Sequence, residues 1–311
     1  MILEGTIWDL RTKSRPARWA GAAFCAALAT TAAASLSCSR AAPRCTLSRP
    51  DAPVAPLLWR VHANNGAAVW LFGTIHDAGG DDVPGAAWRE LESSASFVSE
   101  LGDDEPDPRE FRELARQPWG QVLDRQLPSD DWFELVTALA GVMKEDELRH
   151  ARPWFALVRL RAHVINAPKP SMDTALADRA RRQGIAISRL ESWDQQLAAL
   201  DTSITANDLA GVIRDRNALA CDAAVVVSAY RTGDVPALTH LLVDPVQGTA
   251  LLAERNRRWL PRIERVLAPG AGGAVGSTFI AVGLGHLLGD TGLLATLERA
   301  GYAVERAIAA H

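Results

Sequence analysis

The chain has 311 residues, 48% of them hydrophobic and 23% charged, with a net charge of −4. That length can bury a full core as one large α/β domain or two modest ones. The negative balance argues against nucleic acid as a partner, and four cysteines with no CxxC or Cys/His cluster argue against a structural zinc site.

The N-terminal stretch reads as a targeting segment. Arg11 to Arg18 is basic, and Trp19 to Leu36 is uncharged and rich in alanine. This is the order of a secretory signal, and the apolar run is also long enough to cross a bilayer. Cleavage is expected after Ala34. Cys38 admits a lipid anchor, although Ser35 stands where leucine is usual. Residues 1–47 are therefore expected to be a signal peptide or membrane anchor with a linker, and 48–311 the folded domain. The expected location is outside the inner membrane of a bacterium, either periplasmic or membrane-anchored and facing the periplasm. If the apolar segment is removed, Cys45 and Cys221 are the two that could join.

Leu57 to His62 and Ala67 to Phe72 read as strands around the turn signal Asn64-Asn65-Gly66, which makes a hairpin. Gly73-x-x-His76 follows, then a glycine-rich loop and a helix over 86–93 that starts after Pro84-Gly85. The strand after it, Ala95 to Glu100, closes on a carboxylate. From Arg109 to Val164 apolar residues recur at three and four, with Pro118, Pro128 and Pro153 dividing the stretch into several helices. Met172 to Gly184 reads as a helix closed by glycine, followed by a strand that ends on Glu191. Residues 206–242 and 250–267 are again helical, and Arg255, Asn256 and Trp259 share part of one face. The chain then repeats its opening. Thr278 to Gly283 is an apolar strand, Gly283-x-x-His286 its close, and Tyr302 to Glu305 a last strand.

The expected fold is α/β. A mixed central sheet is built from two strand–GxxH–helix–strand units at the two ends of the chain, with a large helical insertion over about 109–170 between them. His76, Glu100, Glu191 and His286 all stand where strands stop, the side on which open α/β sheets bind ligands. The glycine before each histidine suggests a tight backbone turn close to a ligand. Two neutral imidazoles and a carboxylate suffice for a divalent metal with positions left open for water. A carboxylate off the metal could serve as general base, and Arg255 could steady an oxyanion or a substrate carboxylate.

Seven short motifs, in order and spacing, resemble the TraB/GumN family, which is related to the Tiki proteases that cleave Wnt proteins. They are Leu71 to His76, Phe97 to Leu101, Arg152-Pro153-Trp154, Met172 to Leu176, Arg189-Leu190-Glu191, Glu254 to Arg257 and Phe279 to His286. The resemblance covers roughly Leu57 to Ala307. It implies that the two GxxH motifs meet, with His76, His286 and Glu100 as metal ligands and Glu100, Arg255 and Asn256 as the catalytic and substrate-orienting set. It further implies a metal-dependent hydrolase, chiefly a peptidase acting on peptide or protein, with Mn2+ or Co2+ as the cation. Distant relatives include erythromycin esterases and haem-binding ChaN proteins. The alternatives are therefore a haem- or metal-binding envelope protein without turnover, or a scaffold in polysaccharide assembly. Asp77, Ser171-Met172-Asp173 and Arg189 depart from the family pattern.

Overall fold

The computed structural model describes residues 54–63, 68–102, 106–243, 249–268 and 277–307. The N-terminal segment, the hairpin turn and Cys45 lie outside these residues. Among the described residues no helix is long and apolar enough to cross a membrane.

Six strands form one mixed sheet: β1 (Leu58–His62), β2 (Ala68–Thr74), β3 (Ser96–Ser99), β4 (Ala186–Arg189), β5 (Thr278–Gly283) and β6 (Ala303–Arg306). Their order is β4-β3-β5-β2-β1-β6. The expected hairpin is present, with β1 antiparallel to β2 in the register Leu58 to Phe72. β2, β5, β3 and β4 are mutually parallel. β6 returns antiparallel to β1, which makes the sheet mixed. The first and last units of the sequence meet in the middle, because β5 inserts between β2 and β3. Apolar runs on β2 and β5 explain this placement, since central parallel strands are covered on both faces.

Parallel register places Phe72, Phe97 and Phe279 on one face. Their ring centroids lie 5.9 and 6.2 Å apart, within the range where aromatic packing adds to burial. Helices α1 (Gly85–Glu92) and α6 (Met172–Arg182) cover that face, and Gly184, at φ +68°, ends α6 as the sequence suggests. On the other face lie Leu71, Val98 and Ile280. Trp259 and Ile263 of α11 (Glu254–Leu267) are buried in the same hydrophobic cluster.

A second hydrophobic cluster is helical. It gathers α2 (Pro108–Leu114), α3 (Ser129–Ala138), α4 (Glu145–Arg149) and α5 (Pro153–Ile165), with Phe111, Trp154 and Phe155 at mutual edge-to-face angles. It also takes in α7 (Trp193–Ser203) and α8 (Ala206–Arg214), which follow β4 in sequence. The helical part is thus larger than the insertion over 109–170, because Trp193, Leu197, Leu209 and Ile213 pack on Phe111 and its neighbours. The remaining helices are α9 (Arg216–Thr232), α10 (Val235–Leu242) and α12 (Leu293–Arg299).

The GxxH glycines are explained by space and not by backbone conformation. Neither Gly73 nor Gly283 has a positive φ. A Cβ on Gly73 would stand 2.4 Å from Cδ1 and 3.2 Å from Cβ of Leu284, a side chain of the second GxxH motif that is itself 1% exposed. A Cβ on Gly283 would meet only ordinary contacts, 3.4 Å from Glu100 Oε1 and 3.7 Å from His286 Cδ2. The first motif therefore needs glycine so that the second can pack on it. Gly73→Ala is expected to cost about 1–3 kcal/mol as overpacking, and Gly283→Ala clearly less. Urea midpoints measure both, and equal midpoints for the two variants would contradict this account.

Candidate active site

Each end of the parallel strands delivers one group. β3 runs into Glu100, β4 toward Glu191, β2 toward His76, and β5 into a single 3-10 turn, Leu284–His286. α11 brings Arg255, Asn256 and Trp259 to the same place, on the shared face that helical spacing suggests.

Arg255 is the hub. Its NH2 lies 2.6 Å from Glu100 Oε2 and 2.6 Å from Glu191 Oε1. Its Nε donates to both Glu191 oxygens, at 3.1 and 3.2 Å. Its NH1 lies 3.0 Å from His286 Nε2 and also donates to the Leu251 carbonyl. Trp259 Nε1 donates to Glu191 Oε2 at 3.1 Å, and the Gly283 N–H donates to Glu100 Oε1 at 2.8 Å. Arg255, Glu100, Glu191 and His286 are all buried.

The hydrogen bonds settle the tautomer of His286. Asn256 Nδ2 donates to the carbonyls of His286 and Thr291, so its Oδ1 is the atom that faces His286 Nδ1, at 2.7 Å. An amide oxygen only accepts, so Nδ1 carries the proton. Nε2 then holds a lone pair, which accepts from Arg255. The imidazole is neutral. Burial, then the Arg255 charge, push its pKa down to about 3. Burial alone would raise Glu100, but Arg255, His286 and the Gly283 N–H hold it well below the ordinary carboxylate range. Burial alone would lower Arg255, but Glu100 and Glu191 raise it, so the guanidinium keeps its charge.

His76 is the exposed member. Its inner side is packed, which lowers its affinity for a proton, while Glu100 and Asp77 pull the other way. His286 in turn feels the charge of His76, so the two imidazoles belong to one electrostatic cluster. The loop that carries His76 is held from three sides. Tyr230 OH donates to the Gly73 carbonyl at 2.7 Å, Thr74 Oγ1 donates to Asp173 Oδ1 at 2.9 Å, and Asp77 pairs with Arg161 of α5 at 3.2 Å. Burial keeps the Tyr230 phenol protonated, with Asp173 and Asp82 acting in the same direction.

Of the five residues singled out in the sequence, Glu100, Arg255, Asn256 and His286 are joined by hydrogen bonds, and His76 is linked to them through charge alone. Asn256 spends its amide on His286 and Thr291, and Arg255 spends its donors on Glu100, Glu191, His286 and Leu251. Sequence reasoning gave Glu191 a place at a strand end but no partner. Trp259 was legible only as a face-mate of Arg255. Tyr230 and Asp173 carried no signal as supports of the His76 loop.

A model of the TraB/PrgY/gumN family matches residues 57–306. The chain belongs to that family. No curated protein matches it, and no solved structure does. The TraB/PrgY/gumN region contains every residue of the constellation, Glu191 and Tyr230 included.

Among the described residues no group of three or more His, Cys, Asp or Glu is gathered as a metal site. The donor types nevertheless fit a divalent cation: a neutral imidazole, an ionised carboxylate and a second imidazole open to solvent. His286 Nε2 and Glu100 Oε1 are 3.9 Å apart, inside the ~4.2 Å that two donors at ~2.1 Å from one ion can span. The Nε2 lone pair accepts from Arg255, so a cation would have to replace that hydrogen bond.

His286 links stability to pH. The unfolded chain takes up this proton below its ordinary pKa of 6.5, and the folded chain resists it until about 3. The contribution is complete above pH 6.5 and is lost as pH falls toward 3. Glu100, also held low, adds to the loss below its ordinary value of 4.5. Urea midpoints should therefore fall between pH 6.5 and 4.5, and His286→Gln should flatten that fall. Parallel wild-type and variant curves across this window would show that His286 is not held neutral.

Proposed function

We propose that this TraB/PrgY/gumN protein is an exported hydrolase acting on peptide or protein substrates, with its centre at His76, Glu100 and His286. The observation that carries the reading is a neutral His286, locked in one tautomer by Asn256, beside an ionised Glu100 at the carboxyl ends of parallel strands. In this reading the pair would hold a divalent cation, Mn2+ or Co2+, once Arg255 yields its bond to Nε2 and His76 moves in as a third donor. When bound, that cation would supply polarisation of the scissile carbonyl and activation of water.

The protein's own groups divide the remaining work. His286 keeps Nε2 unprotonated at neutral pH, because Asn256 accepts the Nδ1 proton. Glu100 stays an anion because Arg255 and the Gly283 N–H face its two oxygens. His76, open to solvent and unprotonated at neutral pH, is the third donor this reading assigns to the cation. Arg255 and Glu191 act as positioning residues, holding Glu100 and His286 together in a site shielded from water. Cys221 is disulfide-bonded, which suits an oxidising compartment and so supports export.

A second reading, a metal- or haem-binding protein without turnover, draws on the burial of Glu100 and His286, which leaves His76 as the accessible ligand.

The test uses the purified chain, a mixed peptide library, EDTA, and Mn2+ or Co2+ added back. Cleavage should be lost with EDTA and restored by the cation. His76→Ala, Glu100→Gln and His286→Ala should each lower the rate about 10²–10⁴-fold while thermal midpoints confirm folding. A Soret band on adding haem, with no cleavage, would favour the second reading. Undiminished cleavage by folded Glu100→Gln and His286→Ala would sink the hydrolase reading at this site.

A further inference from the structure

Two arginines serve the His76–His286 centre, and they are used differently. Arg255 spends all three nitrogens, on Glu100, Glu191, His286 and the Leu251 carbonyl. Arg161 does not. It sits on α5, and its guanidinium reaches Asp77, the residue after His76. Consecutive Cα atoms lie about 3.8 Å apart, so Arg161 stands beside the solvent-exposed histidine. Its charge is felt at that imidazole.

The bond to Asp77 is loose. NH2 alone makes it, 3.4 Å from Oδ1 and 3.2 Å from Oδ2, longer than the about 2.7–2.9 Å of a strong charge-assisted bond. Among the described residues Nε and NH1 of Arg161 have no hydrogen-bond partner, and the side chain is 40% exposed. An arginine that only fastens the fold looks different in this protein. Arg214 grips Asp131 with Nε at 3.1 Å and NH2 at 2.6 Å, along one edge of its guanidinium. A guanidinium has two such edges, each able to take a carboxylate through two parallel bonds. Asp77 fills neither. Arg255 shows that one guanidinium here can meet two carboxylates at once.

The rest of the centre turns anions away. Glu100 and Glu191 outweigh the one charge of Arg255, and a neutral His286 adds none. A substrate carboxylate therefore has one place to go. We propose that Arg161 is the specificity-determining residue of this centre: it anchors a carboxylate of the substrate beside His76. That carboxylate is the terminus of a peptide or an acidic side chain within one, a substrate class that rests on the peptide reading above. Asp77 is then a positioning residue, which steadies the guanidinium from one side and leaves an edge open. Anchoring at one point also fixes which way a peptide lies across the centre.

The experiment is calorimetric titration of the purified full chain in EDTA, which suspends any cation-dependent turnover. The probes are acetyl-trialanine as the free acid, its C-terminal amide, and the same amide with glutamate at the middle position. One or both of the carboxylate probes should bind about tenfold or more tighter than the plain amide, and the tighter of the two tells terminus from side chain. Arg161→Gln should bring all three within about twofold of one another. Asp77→Asn, which frees the guanidinium, should keep or enlarge the preference. A role confined to fastening the His76 loop predicts instead that the two variants weaken all three probes alike. Thermal midpoints check that both variants fold. Equal affinity of the wild-type chain for the three probes, absence of binding included, or loss of the preference in folded Asp77→Asn, would overturn the proposal. Carboxylate preference in a chain that cleaves no peptide would sink the hydrolase reading and leave this inference standing, and cleavage without the preference would do the reverse.

Discussion

One buried guanidinium ties the carboxyl ends of the sheet together. Arg255 from α11 meets Glu100 after β3, Glu191 after β4 and His286 after β5. Taking three charges out of water costs several kcal/mol for each, and only full hydrogen bonding offsets it. That bonding is present. Glu191 accepts from two nitrogens of Arg255 and from Trp259, and Glu100 accepts from Arg255 and a backbone N–H. Removing one partner would leave the others buried and unmatched, so the cluster fixes strand ends as well as side chains.

The same cluster carries one formal negative charge more than its guanidinium neutralises. A neutral imidazole cannot cancel it, and the Asn256 hydrogen bond fixes His286 as neutral. The excess points toward His76, the one member that solvent reaches. Glu100 and Asp77 draw a cation toward His76, while burial and the Arg161 charge hold its imidazole unprotonated. The electrostatic logic of the site therefore follows from two carboxylates sharing one arginine, before any ligand is considered.

Much of this was legible in the sequence because its period is local. Alternation and a turn signal gave β1 and β2. Proline gave the breaks among α2 to α5, glycine gave the end of α6 at Gly184, and two GxxH motifs with β-rich leaders gave strands that end on functional groups. The extent of the helical part was not legible. Trp193 and Leu209 look like any apolar helix face, and only packing assigns them to Phe111 and not to the sheet. The supports of the His76 loop were hidden for the same reason. Tyr230 lies 157 residues from the carbonyl it grips, and nothing in its neighbourhood announces that contact. The GxxH glycines were legible as a motif but not in their cause, which is a leucine 211 residues away along the chain.

That cause bears on how the site is built. Leu284 fits against Gly73 only when β5 has already been laid beside β2, and β5 also separates β2 from β3. His76 and Glu100 are close in sequence, yet the strands that carry them are not neighbours, and the strand between them arrives from the far end of the chain. The centre therefore cannot be assembled by the first unit alone. Glu100 needs the Gly283 N–H, His286 needs Asn256, and both need Arg255, all supplied by residues after 250. An isolated N-terminal half would hold His76 and Glu100 as separate exposed groups. The arrangement of this site is consequently a property of the closed sheet, and loss of β5 packing would take it apart.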